Sequence, residues 1–271
     1  MQAEDDMNIK EKLDIFDVMC RNGDLGAAEL MLKDWIGEAQ SEQDTAALLT
    51  LYNEQAGLFR VTGRAEEAGL VSMKALSIVR QLGLTGTVHH GTTLLNAATN
   101  FRAAGDREKA AQMYSEAADV YYSLDGVDPY YVASLFNNLS QLQFDFGCVD
   151  EAIASLNKAK DIIDSAYPGS PEAATTRVNA AYYLMAADRL DDAEKELDEA
   201  FEYFGTEDGN SDGHRGSALS AKGQLMLLKG DSKAGLELLE QAKEFVFDRF
   251  GDSDEYKAIC SNIAKLTAAG V

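Results

Sequence analysis

The chain has 271 residues and carries 46 Asp and Glu against 24 Lys and Arg, a formal charge of −22 at pH 7. That balance argues against proteins that neutralise a phosphate backbone with Lys and Arg, and against binding to anionic bilayers, so neither nucleic acid nor membrane is an expected partner. With 46% hydrophobic residues and only 3 Pro, the composition is that of a folded protein rich in uninterrupted helix.

From Met1 to Lys12 the chain is acidic and polar, without the basic and apolar regions of a secretory signal. No window is long and apolar enough to span a bilayer, and the expected location is the cytoplasm. Beyond this start, a turn residue followed five positions later by a small residue recurs along the chain. The turns are Gly23, Gly63, Gly105, Gly147, Asp188 and Gly230, and the small partners are Ala28, Ala68, Ala110, Ala152, Ala193 and Gly235. Intervals of 40, 42, 42, 41 and 42 residues mark a repeat architecture, in which each unit buries its apolar face only by stacking on the next. Twelve positions after the turns stand Ala75, Ala117, Ala159, Ala200 and Ala242, and seven before them Ala56, Ala98, Ser140, Ala181 and Gly223. Small residues at these offsets let paired helices, and neighbouring pairs, approach closely. In the first unit Phe16 and Trp35 stand in these columns instead, which suits a terminal repeat with nothing stacked before it.

In the third unit the helical spacing of apolar residues runs from about Val88 to Ala104, breaks at Gly105 and Asp106, and resumes from Arg107 to Ser123. Each unit is therefore an antiparallel helix pair. Asp128-Pro129 and Ser170-Pro171 each place an N-cap before a proline at the first helical position and pin the starts of units four and five. The repeats span approximately 8–42, 45–86, 87–128, 129–170, 171–211 and 212–252, and 255–269 is an unpaired helix that caps the array. The expected fold is all-α, a right-handed superhelical solenoid of antiparallel helix pairs forming one domain over 1–271.

The segments LLNAATNFRAAGDREKAAQMYSEAADV from Leu94 and LFNNLSQLQFDFGCVDEAIASLNKAKDI from Leu135, with linkers such as AYPGSPEAATT from Ala166, resemble tetratricopeptide repeats. The 42-residue variety resembles the repeats of kinesin light chains. The resemblance covers nearly the whole chain and implies a helical interaction scaffold, a fold used by many unrelated proteins. It also implies a concave groove lined by the first helices, faced by residues nine and ten positions before each turn. Those positions hold Asn53, Asn96, Asn137, Asn138 and Asn179, and Asn262 if the last spacing is 41. Side-chain amides both donate and accept, so a row of them suits the backbone of an extended peptide whatever its sequence. Similar ladders serve that role in O-linked N-acetylglucosamine transferase and in peptide-pheromone receptors. The alternative is that these amides bond to neighbouring repeats and only hold the stack.

A hydroxyl column, Thr50, Thr92, Ser134, Thr175 and Ser217, lies thirteen positions before the turns, on or near the same groove. Arg60 and Arg102 share a column three before the turns in adjacent repeats. They are expected either to receive a ligand carboxylate or to pair with surface Asp and Glu. The Lys and Asn set of the heat-shock carboxylate clamp is not complete, so that ligand is not implied. Tyr182, Phe144 and Met185 fall on the same surface as candidate side-chain pockets, although helical apolar stripes are more often packing, as expected for Met113 and Met226.

Asp208 to Gly213 spell D-G-N-S-D-G, the first half of a calcium loop, but Leu219 stands where the bidentate Glu belongs. Cys20, Cys148 and Cys260 lack a C-x-x-C spacing and a His at ligand distance, and are expected to be buried reduced thiols. Neither metal nor cofactor is expected, and no nucleophile, base and electrostatic stabiliser assemble into a catalytic motif. The functional expectation is a non-enzymatic scaffold that binds a protein or an extended peptide in its groove. Two alternatives are a signalling-peptide sensor without a DNA-binding domain of its own, because the dozen residues before the first repeat are too few for a helix-turn-helix, and an adaptor using its acidic convex face.

Overall fold

The computed structural model describes residues 8–268. The acidic start through Met7 and the last residue of the expected capping helix, at 269, lie outside the described residues. Among the described residues there are fourteen α-helices and no strand, grouped into two compact units, one up to Val127 and one from Asp128.

The first unit holds α1 (Ile9–Arg21), α2 (Leu25–Glu42), α3 (Thr45–Val61), α4 (Ala65–Gln81), α5 (Val88–Ala103) and α6 (Arg107–Ser123). The second holds α7 (Pro129–Asp145), α8 (Val149–Ala166), α9 (Pro171–Ala186), α10 (Leu190–Phe204), the single turn α11 (Glu207–Asn210), α12 (Arg215–Leu228), α13 (Ser232–Phe250) and α14 (Asp254–Ala268). Within each unit consecutive helices pack as pairs, and each pair packs on the next.

All six turn residues adopt left-handed backbone, with φ of +79° at Gly23, +78° at Gly63, +81° at Gly105, +78° at Gly147, +58° at Asp188 and +88° at Gly230. At Gly105 the amide donates to the Arg102 carbonyl at 3.0 Å, and the next amide, of Asp106, donates to Phe101 at 2.9 Å. This double closure is a Schellman motif, which satisfies carbonyls that the helix end would otherwise leave open. The same pair of bonds closes the other five turns. Asp106 and Asp231 then cap the following helix, accepting from Lys109 N at 3.1 Å and Ala234 N at 3.0 Å, so two adjacent residues stop one helix and start the next. Asp188 is the one non-glycine in the column. Asp188→Gly is therefore expected to raise stability by about 0.5–1 kcal/mol, because a Cβ is disfavoured in left-handed backbone. Urea denaturation checks this, and a destabilised variant would contradict the conformational reading of the column.

Ala28, Ala68, Ala110, Ala152 and Ala193 are all fully buried, as are Ala75, Ala117, Ala159, Ala200 and Ala242. Helices α12 and α13 also approach closely: a Cβ added to Gly223 would lie 3.0 Å from the Gly235 carbonyl oxygen, and one on Gly235 would lie 2.6 Å from Leu227 Cγ. In the first repeat Phe16 and Trp35 fill their columns as core residues, packed with Leu32, Ile36 and Leu51. At the other end Ile259 of α14 is buried with Leu219, Ala242 and Val246, covering the last helix pair as the expected capping helix should. The thiols depart from expectation: Cys148 is exposed at the N-cap of α8, and Cys20 and Cys260 are half-buried. Cys148 directly follows the turn Gly147, and a residue leaving a tight turn has no helix packed over it.

Candidate functional site

The first helices of the repeats carry the polar columns, and the two units use them differently. In the first unit Asn96 is exposed on α5, and Asn53 and Thr50 are half-buried on α3. The Thr92 hydroxyl lies 3.3 Å from the Tyr121 hydroxyl of α6 and so helps tie one helix of the pair to the other. Arg60 ends α3 and Arg102 ends α5, where cations complement the helix dipole. Desolvation, and then the like charge of Arg102, hold the Arg60 guanidinium below its usual pKa. Between them the Tyr114 phenol, bonded to Thr99 Oγ1 at 3.2 Å, is pushed up by burial against the favourable effect of the arginines. The pair is thus a local concentration of positive charge on an acidic chain.

In the second unit an open groove of about 320 Å³ is lined by Ser134, Asn137, Asn138, Thr175 and Asn179. Two helix starts bring these side chains together. Asp128 accepts from Tyr130 N at 2.9 Å and Ser170 from Ala173 N at 3.2 Å, each ahead of a proline, which sets α7 and α9 in matching register. Asn137 Nδ2 donates to Thr176 Oγ1 at 2.8 Å, and Asn179 Nδ2 donates to Asn137 Oδ1 at 3.4 Å, so these amides link one repeat to the next. Asn138 Nδ2 donates to the Ser134 carbonyl at 2.8 Å, within its own helix, and Thr175 Oγ1 does the same to Pro171 at 2.9 Å. Part of the column therefore holds the stack. An amide has two donors and an oxygen with two lone pairs, so the long Asn179 contact leaves hydrogen-bonding capacity facing the groove.

Tyr182 is half-buried, donates from its hydroxyl to the Ser217 carbonyl at 3.2 Å, and packs with the core of its unit. Phe144 stacks on Tyr183 with centroids 4.5 Å apart, and Met185 is buried in the same cluster. These three serve packing in this structure, as Met113 does. Ser217 Oγ donates to Glu255 at 2.7 Å, which ties the capping helix to α12, and Asn262 is half-buried on α14.

The groove also includes residues that the columns did not reveal: Tyr130, Glu172, Thr176, Asp212 and His214. Tyr130 and Glu172 sit just after the two X-Pro starts, a signal that sequence does carry. Asp212 and His214 lie in the linker that resembles half a calcium loop. There α11 occupies part of the motif, and Asp212 is engaged otherwise: Oδ1 accepts from His214 N at 2.8 Å and Oδ2 from the Tyr203 hydroxyl at 3.1 Å. The first glycine of the motif has a packing reason, since a Cβ on Gly209 would lie 2.0 Å from the Tyr203 carbonyl oxygen. Among the described residues no group of three or more His, Cys, Asp and Glu is arranged to hold a metal ion, and no helix is long and apolar enough to cross a membrane.

No family model and no curated protein sequence matches the chain. Solved structures do. BtubC (BKLC) from P. vanneervenii superposes with a TM-score of 0.59 at 20% identity, over 76% of this chain and 91% of that one. The nearly identical TPR-like repeats of a Podosopora anserina protein described as a kinesin light chain give 0.58 at 17% identity, over 74% and 95%. The apo form of RapI gives 0.67 at 12% identity, over 90% and 84%. Helix pairs, left-handed turns and buried small columns agree with these likenesses: the chain has the tetratricopeptide-repeat fold, with repeats resembling those of kinesin light chains.

Proposed function

We propose that this chain is a non-enzymatic binding module that holds an extended peptide, or the tail of a partner protein, along the polar surface of its first helices. The observation that carries this reading is the open groove of the second unit, where Ser134, Asn137, Asn138, Thr175 and Asn179 come together with hydroxyls and amides. Such groups suit a ligand backbone, which alternates donors and acceptors, and ask little of its side chains. In the first unit Asn53, Asn96 and Thr92 stand at the equivalent positions of their own repeats, and Arg60 and Arg102 supply guanidinium groups for a ligand carboxylate. The charge of −22 disfavours nucleic acid as the occupant.

The experiment is retention of capped, randomised decapeptides on the immobilised protein. Micromolar retention of a subset supports the reading, and no retention even at millimolar peptide overturns it. Arg60→Gln with Arg102→Gln is expected to weaken peptides containing Asp or Glu about fivefold at low salt, with little change for neutral ones, because exposed ion pairs are modest and screened. An equal loss for neutral and acidic peptides would assign the arginines to structure.

A further inference from the structure

The groove of the second unit is not electrically neutral. Its lining contains two carboxylates, Glu172 and Asp212, and neither Lys nor Arg. Glu172 is exposed in the first turn of α9, and Asp212 stands in the linker before α12. The one imidazole, His214, has its Nδ1 2.9 Å from Asp212 Oδ1. Burial works against the charged form of Asp212, but hydrogen bonds from the His214 amide and ring and from the Tyr203 hydroxyl hold its pKa below the usual range, so the charge persists at neutral pH. Tyr130, 44% exposed, lines the same groove and offers an aromatic surface. The surrounding unit reinforces the sign: from Asp128 onward the sequence has 26 Asp and Glu against 13 Lys and Arg.

We infer that the groove of the second unit selects peptide segments bearing a Lys or Arg side chain, whose cation sits against Glu172 and Asp212 with the Tyr130 ring beside it. The inference rests on the peptide-binding reading above and adds the chemical class of the ligand. Amides and hydroxyls take the ligand backbone, which leaves the carboxylates to choose among side chains. A cation gains from both carboxylates and from the negative face of the ring, a Gln gains only hydrogen bonds, and a Glu meets repulsion from two like charges. The clustered charge also steers a basic segment towards the groove before contact.

The test uses three mixtures of capped decapeptides, randomised except at one central position fixed as Lys, Gln or Glu, incubated with the full chain at pH 8. The Lys mixture is expected to be retained about fivefold over the Gln mixture at low salt, with the preference shrinking at high salt. Glu172→Gln with Asp212→Asn should bring the ratio of Lys-mixture to Gln-mixture retention to about one. Because Asp212 also accepts from the His214 amide, Glu172→Gln alone provides a second reading and should remove a measurable part of the preference. Asp150→Asn with Glu151→Gln, which makes the same change in net charge in the first turn of α8, should leave the ratio unchanged. Equal retention of Lys and Gln mixtures overturns the inference and spares peptide binding; an equal effect of the α8 variant also overturns it, by assigning the preference to the overall field. Retention of none of the mixtures removes the peptide-binding reading itself.

Discussion

Changing Asn96, Asn138 and Asn179 together to Ala is expected to reduce peptide retention to background while leaving the helical circular dichroism signal largely intact. Asn96 is exposed, so its loss strands nothing. Asn138 bonds one turn back in its own helix, to a carbonyl already inside the helical ladder. Asn179 reaches Asn137 at 3.4 Å, the long limit of a hydrogen bond, and gives up little when removed. Asn137 is left in place because its 2.8 Å bond to Thr176 joins two repeats and truncating it would blur folding with binding. If each amide contributes about 1 kcal/mol to the ligand, the triple variant loses about 3 kcal/mol, more than a hundredfold in affinity. A micromolar binder would then fall to background at micromolar peptide. Unfolding of the variant would make the column structural, whereas a folded variant with normal retention would mean that the ligand sits elsewhere.

Replacing Ala159 by Leu is expected to cost about 1–3 kcal/mol, because the added atoms enter a contact packed at crystal density. Ala159 is fully buried and clusters with Ala133, Ile163 and Ala173, so α7, α8 and α9 all meet at this point. The added side chain has no solvent to turn towards. Neighbouring repeats share interfaces, and the damage should therefore spread beyond one helix pair and broaden the unfolding transition. Ala117→Leu, at the equivalent position of α6 and also fully buried, should behave alike in the first unit. Thermal and urea denaturation give the measurement. Two variants as stable as the parent would mean that the small columns do not set helix spacing.

The groove of the second unit was legible in part. Ser134, Asn137, Asn138, Thr175 and Asn179 follow from counting back from the turns, since equivalent positions in a repeat occupy equivalent places. Glu172, Asp212 and His214 did not, because they belong to helix starts and a linker whose path the repeat does not dictate. Tyr182 occupies a frame position that suits a pocket, yet its ring packs into the core and its hydroxyl finds Ser217, a choice made by the neighbouring helix. Cys148 is exposed against the burial that its hydrophobic character suggests, because it stands directly after a turn.

By itself the sequence determined the helix pairs, their turns and the small faces on which they meet. Those features are local and periodic: a left-handed residue must end a helix, an N-cap must begin one, and a repeated offset must recur on the same face. Only the tertiary structure decided which asparagines spend a bond on a neighbouring repeat, which carboxylates of a helix start and a linker line one groove, and which aromatic side chains the core retains. Each of these depends on the approach of side chains separated by about one repeat, a distance over which periodicity fixes position but not the direction of a hydrogen bond.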